Sequence, residues 1–154
     1  MSAPSRDPRI DRNWEELLQE LRVTQTGIQI LTGFLLTVPF SNRYTDLSST
    51  DRWVYLGVLI SCVLAAAMLV APAAFHRLLF HQRQRPWLVE AAHRCALAGL
   101  TLTACASCGM MFLVVDFTVS RALAVWISGG LALFFAAVWL GVPIVDHVRV
   151  KRRR

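Results

Sequence analysis

A chain of 154 residues that is 55% hydrophobic, with a mean hydropathy of +0.47, is too apolar for a soluble domain of its size. Its apolar residues are gathered into four blocks, as in a polypeptide that crosses a bilayer. The formal charge of +6 comes from basic residues that flank those blocks and form no basic face, which sets nucleic-acid binding aside in favour of anionic lipid headgroups.

Residues 1–12 carry two prolines and mixed charges without apolar periodicity and are expected to form a flexible cytoplasmic tail. No short apolar core followed by a small-residue cleavage site lies within residues 1–22, so the first apolar block is read as a retained anchor. Asn13 suits a helix N-cap, with Glu16 three residues on, and a helix is predicted from about Trp14 to Pro39. At 1.5 Å per residue such a helix is about 39 Å long, enough to cross a core of about 30 Å and project into water.

On that helix Glu15, Gln19, Arg22, Thr26, Gln29 and Gly33 recur every three or four residues, with Gln25 and Thr32 beside them. This polar stripe runs into the membrane, where amides and hydroxyls are expected to turn toward partner helices or to line a path for water or a solute.

After Pro39 the polar segment SNRYTDLSSTD reads as a short loop, and Ser48–Asp51 offer caps for a second span at about 53–71, with Trp53 and Tyr55 as interfacial aromatics. Gly57, Ser61 and Ala65 form a small-residue ladder expected to pack against protein. Pro72 is expected to kink or end this span, and the basic amphipathic segment behind it to lie at the membrane surface. Pro86 suits the first position of a third helix, whose apolar part covers about 95–115 and ends at Asp116. A fourth span is expected at about 122–145 with a second ladder, Ser128, Ala132 and Ala136, followed by a basic tail at 149–154. The predicted fold is therefore an all-α integral membrane four-helix bundle over 13–148, its spans at about 23–40, 53–71, 95–115 and 122–145, the first helix extended into the cytoplasm. Thirteen of the sixteen basic residues fall on the side of the two termini, so the positive-inside rule predicts that both are cytoplasmic.

Few residues suggest chemistry. Cys105 and Cys108 form a CxxC in the middle of span three, where a low dielectric disfavours thiolate; together with Cys62 and Cys95 they read as small packing residues. His76, Arg77, Glu90, His93, Arg94, Asp146 and His147 are predicted to gather on the cytoplasmic side, Glu90 and His93 one turn apart, without a metal-binding motif. Neither catalytic residues, metal nor cofactor are expected, and the chain is not read as an enzyme. The four apolar blocks contain no Asp, Glu, Lys, Arg or His, although ion-coupled transport commonly uses an ionisable group at membrane depth.

The segment ELLQELRVTQTGIQILTGFLLTVPF, the loop with Arg43 and Tyr44, APAAFHRLLF at 71–80 and LVEAAHRCALAGL at 88–100 together resemble a family of small actinobacterial four-helix membrane proteins of unknown function. The resemblance covers nearly all of the chain after residue 12. Some relatives carry an automatic label of sodium:proton antiporter, which is the activity the resemblance implies. From the residues themselves the first expectation is a non-catalytic multi-pass protein of the bacterial cytoplasmic membrane, acting through helix–helix contacts as a homo-oligomer or as an accessory subunit of a larger complex. The alternative is a small cation or proton transporter or channel using Arg22, Gln25, Gln29 and the Glu90/His93 turn.

Overall fold

The computed structural model describes residues 8–78 and 86–141. Four α-helices carry the chain: α1 Pro8–Thr37, α2 Ser49–Leu78, α3 Pro86–Thr118 and α4 Arg121–Ala136. Short 3-10 turns at Val38–Phe40 and Asn42–Tyr44 link α1 to α2, and a wider π turn, Ala137–Gly141, continues α4. Among the described residues there is no strand. Segments of all four helices are long and apolar enough to cross a membrane: Gln19–Phe40, Ser49–Phe75, Glu90–Thr118 and Arg121–Trp139.

Three boundaries differ from those read in the sequence. The first helix begins at Pro8, not Trp14, so residues 8–12 are helical and Asn13 is an interior residue. Pro8 is well suited to that position, since a first-turn N–H has no intrahelical partner and the ring already holds φ near its helical value. The second helix runs through Pro72 to Leu78 and is not ended by it. Pro72 removes one ladder donor, but an apolar helix packed against neighbours tolerates that loss, and the Pro72 ring is itself buried. The joint between α3 and α4 is only Val119–Ser120, where Ser120 Oγ accepts the Leu123 N–H at 3.4 Å. Pro86 does open α3, as its sequence position suggests. Residues 142–145 of the expected fourth span and the tail at 149–154 lie outside the described residues.

Two compact units divide the chain, and the middle of α2 and of α3 marks the division. Among the described residues, the first holds α1 and its 3-10 turns, the part of α2 from Leu59 on and the part of α3 up to Thr103. Its buried side chains recur at alternating steps of three and four, the period of helices packing knobs into holes at shallow angles. On α1 these are Leu21, Ile28 and Leu35, with half-buried Gln25 and Thr32 between them; on α2, Cys62, Ala65, Leu69 and Pro72; on α3, Ala92, Ala96 and Gly99. Gly99 lets α3 approach α2 so closely that an added Cβ would lie 3.3 Å from the backbone nitrogen of Leu69.

The second unit holds Thr45–Val58, the part of α3 from Ala104 on, and α4. Leu47, Tyr55, Val58, Ala106, Leu113, Val115 and Ala124 are its buried apolar residues, and Gly109 faces Val58 with no room for a side chain between them. The small-residue ladders expected to pack are only partly covered. Ala65 is buried and Ser61 half-buried, but Gly57 is exposed with open space where a Cβ would stand. On α4, Ser128 is half-buried while Ala132 and Ala136 are exposed. A small side chain permits close approach without attracting it, so the seam goes to the face whose larger residues, Val58 and Leu69, gain most from burial.

Candidate functional site

The polar stripe of α1 divides into two faces. Gln25 and Thr32 lie half-buried on the face that packs within the chain, whereas Gln19, Arg22, Thr26, Gln29 and Gly33 are exposed. Glu15 belongs to α1, but its side chain lies outside what the structure describes. The outward positions repeat the three-and-four spacing of the inward seam, so α1 presents a second packing-type face that none of the described residues covers.

The hydroxyls on this helix are satisfied locally. Thr26 Oγ1 donates to the Arg22 carbonyl at 3.0 Å, and Thr32 Oγ1 donates to the Ile28 carbonyl at 2.7 Å. Threonine can do this because its short hydroxyl folds back onto the preceding turn. Glutamine is too long for that geometry, and among the described residues Gln25 and Gln29 have no hydrogen-bond partner. Gln29 stands ten residues into the apolar segment Gln19–Phe40, about 15 Å along a helix that rises 1.5 Å per residue. This is close to the middle of a hydrocarbon core of about 30 Å.

Of the residues predicted to gather on the cytoplasmic side, the structure brings together Glu90 and Arg94. Arg77, Glu90, His93 and Arg94 are exposed, His76 lies on α2 with its side chain outside what is described, and Asp146 and His147 lie outside the described residues. Glu90 turns to Arg94, whose Nε donates to its Oε1 at 2.7 Å, and not to His93. The pairing follows from reach: a guanidinium four residues ahead on a helix spans the turn that a short imidazole at three does not. Both partners are more than half exposed, so the pair adds little to stability. Among the described residues no group of three or more His, Cys, Asp or Glu side chains is placed to hold a metal ion. Cys62 is buried, Cys95 and Cys108 are half-buried, Cys105 is exposed, and all four are free thiols.

One constellation was not foreseen. In the second unit the Arg121 guanidinium, at the start of α4, pairs with Asp51 at the start of α2 and with Asp116 near the end of α3, the latter at 3.1 Å. The two carboxylates are largely shielded, with side chains 14% and 13% exposed, while Arg121 remains half exposed. Ser48, Asp51, Asp116, Phe117 and Arg121 line a cleft of about 320 Å³ there. Helix dipoles explain why the charges need one another: Asp51 suits the positive N-terminus of α2, but Asp116 at a C-terminus and Arg121 at an N-terminus each oppose the local dipole. Read singly, Asp116 marked the end of a span and Arg121 counted as one basic residue; their spacing of five across a two-residue joint was the signal available.

Ser48 completes the arrangement. Its Oγ accepts the Asp51 N–H at 3.2 Å and its hydroxyl donates to Asp51 Oδ2, so it caps α2 and aims the carboxylate at once. Ser48→Ala is expected to lower the unfolding free energy by about 1 kcal/mol, the usual loss for an N-cap, measured by chemical unfolding in micelles. Ser48→Asp, which restores a capping acceptor but adds charge beside Asp51, is expected not to recover it.

Over residues 4–143 the chain matches the family described as "Family of unknown function (DUF6328)". No curated protein and no solved structure matches it.

Proposed function

The chain belongs to that family of unknown function, and from this premise we propose that it is a non-catalytic, multi-pass protein of the bacterial cytoplasmic membrane that works through helix–helix contacts in the lipid. It acts either as a homo-oligomer or as an accessory subunit of a larger membrane complex, with both termini on the cytoplasmic side. The observation that carries this reading is Gln29: an exposed primary amide with no hydrogen-bond partner among the described residues, midway along a segment of membrane-crossing length. Apolar side chains on the outside of such helices are at home among acyl chains, but an unpaired amide there costs several kcal/mol by transfer scales and drives association with another polar group. The excess of basic residues on the side of the termini supports the orientation and a lipid surface rich in anionic headgroups.

Extraction of the full chain with its native lipids, followed by native mass spectrometry, tests the proposal. The expected result is an assembly heavier than the 17.3 kDa chain, containing either further copies or other membrane proteins. Recovery of the lone chain under conditions that preserve other membrane complexes overturns it.

A further inference from the structure

Resting on the reading of this chain as a membrane contact protein, we infer that the partner of α1 is a second copy of the same chain, docked in parallel along the Thr26–Gln29–Gly33 face so that the two Gln29 amides bond to each other. Two copies of a multi-pass protein insert with the same orientation, so a two-fold axis along the membrane normal sets every residue opposite its own equivalent at equal depth. Depth is the limiting requirement for Gln29. A partner must offer a donor and an acceptor near mid-membrane, and a second Gln29 does so by construction, since a primary amide carries both groups and is complementary to itself.

The flanking residues fit the same contact. Gly33 lies four residues on, exposed, and nothing stands within 4 Å of where its Cβ would be, so a second backbone can come close there. Thr26 lies three residues before Gln29, exposed, with its hydroxyl already bonded to its own helix, leaving a methyl for packing. Gln25 borders this face and brings a second amide with no hydrogen-bond partner among the described residues. Arg22 would face its equivalent, but it sits at the hydrophilic end of the segment, where a long side chain extends its charge into water or onto headgroup phosphates.

The test uses the full chain in its native membrane. A photo-crosslinking amino acid at position 26, which leaves Gln29 in place, is expected to give an adduct of twice the chain mass. In a background where Cys62, Cys95, Cys105 and Cys108 are replaced, single cysteines along α1 are expected to form disulfide dimers at positions 26, 29 and 33, and not at 27, 30 and 34. Gln29→Leu is expected to weaken dimerisation in vesicles about three- to thirty-fold, the effect of one interhelical hydrogen-bonded pair, whereas Gln29→Asn keeps most of it. Gly33→Leu is expected to disrupt the dimer while leaving the monomer in micelles at least as stable as wild type. An adduct containing a different protein overturns the second copy as partner but leaves the contact function standing. No adduct from position 26, or dimer disulfides centred on 27, 30 and 34, overturns the docking face; a lone chain in native mass spectrometry overturns the contact function as well.

Discussion

Arg121→Ala is expected to give the largest loss of thermal stability of any single charge substitution among the described residues. The guanidinium bridges two shielded carboxylates, and its removal leaves Asp51 and Asp116 at one helix-end cluster with like charge and without the cation they share. Asp116 then also meets the negative end of α3 without compensation. Asp51→Asn and Asp116→Asn, which each leave one ion pair, are expected to lose less, and Arg121→Lys to lie between wild type and Arg121→Ala, because it keeps the charge but does not place it where the one guanidinium nitrogen, Nη2, meets both carboxylates. The informative variant is the neutral triple Arg121→Gln, Asp51→Asn, Asp116→Asn: if the harm comes from stranded charge, it melts above Arg121→Ala despite carrying two more substitutions. Thermal unfolding followed by helical circular dichroism in micelles reads all of these, and an Arg121→Ala chain that melts with wild type would sink the account.

Sequence patterning revealed the helices more readily than their faces. Four apolar blocks of membrane length are hard to misread, because burial in lipid demands nearly continuous hydrophobicity and a helix satisfies its own backbone. Pro86 and the Ser48–Asp51 caps were legible for a local reason, each being read from residues within one turn. Of the two outcomes expected at Pro72, a kink or an end, the helix does not end, because proline as a helix breaker is a rule for water, where nothing else holds the helix together; here the ring is buried and the helix continues. The direction of each face was harder still. In a soluble helix polarity marks the outside, but in an apolar span every face is apolar and the usual contrast disappears. Gly57, Ala132 and Ala136 were therefore expected inside, and the seam through Ala92, Ala96, Gly99 and Ala106 on α3 was overlooked although it is built of equally small residues. The polar stripe of α1 was legible as a stripe, yet only the placement of Leu21, Ile28 and Leu35 separates the half-buried Gln25 and Thr32 from the exposed Gln29. The Arg121 cluster joins residues up to seventy apart, and no local pattern could have paired Asp51 with it.

Gly109→Ala is expected to destabilise the second unit by about 1–3 kcal/mol, the range for adding a methyl group to a close-packed contact, and to cost more than Gly99→Ala in the first. At Gly109 the new Cβ would overlap Val58 Cγ2. A β-branched residue in a helix has essentially one χ1 rotamer, so Val58 cannot turn away and the helices themselves must part. At Gly99 the new atom would fall 2.8 Å from Leu69 Cγ and 2.9 Å from its Cδ2, and leucine has another rotamer to use, though the Leu69 backbone nitrogen at 3.3 Å limits the relief. Gly129, with nothing within 4 Å, is the control: alanine there should be neutral or stabilising by up to about 1 kcal/mol through helix propensity alone. Val58→Ala combined with Gly109→Ala removes the overlapping methyl groups and is expected to recover part of the loss, giving a coupling that distant sites would not show. Chemical unfolding in micelles separates the possibilities. If Gly109→Ala behaves like Gly129→Ala, or if Val58→Ala fails to rescue it, then Val58 does not set the distance between these helices, and a contact elsewhere in the second unit holds them apart.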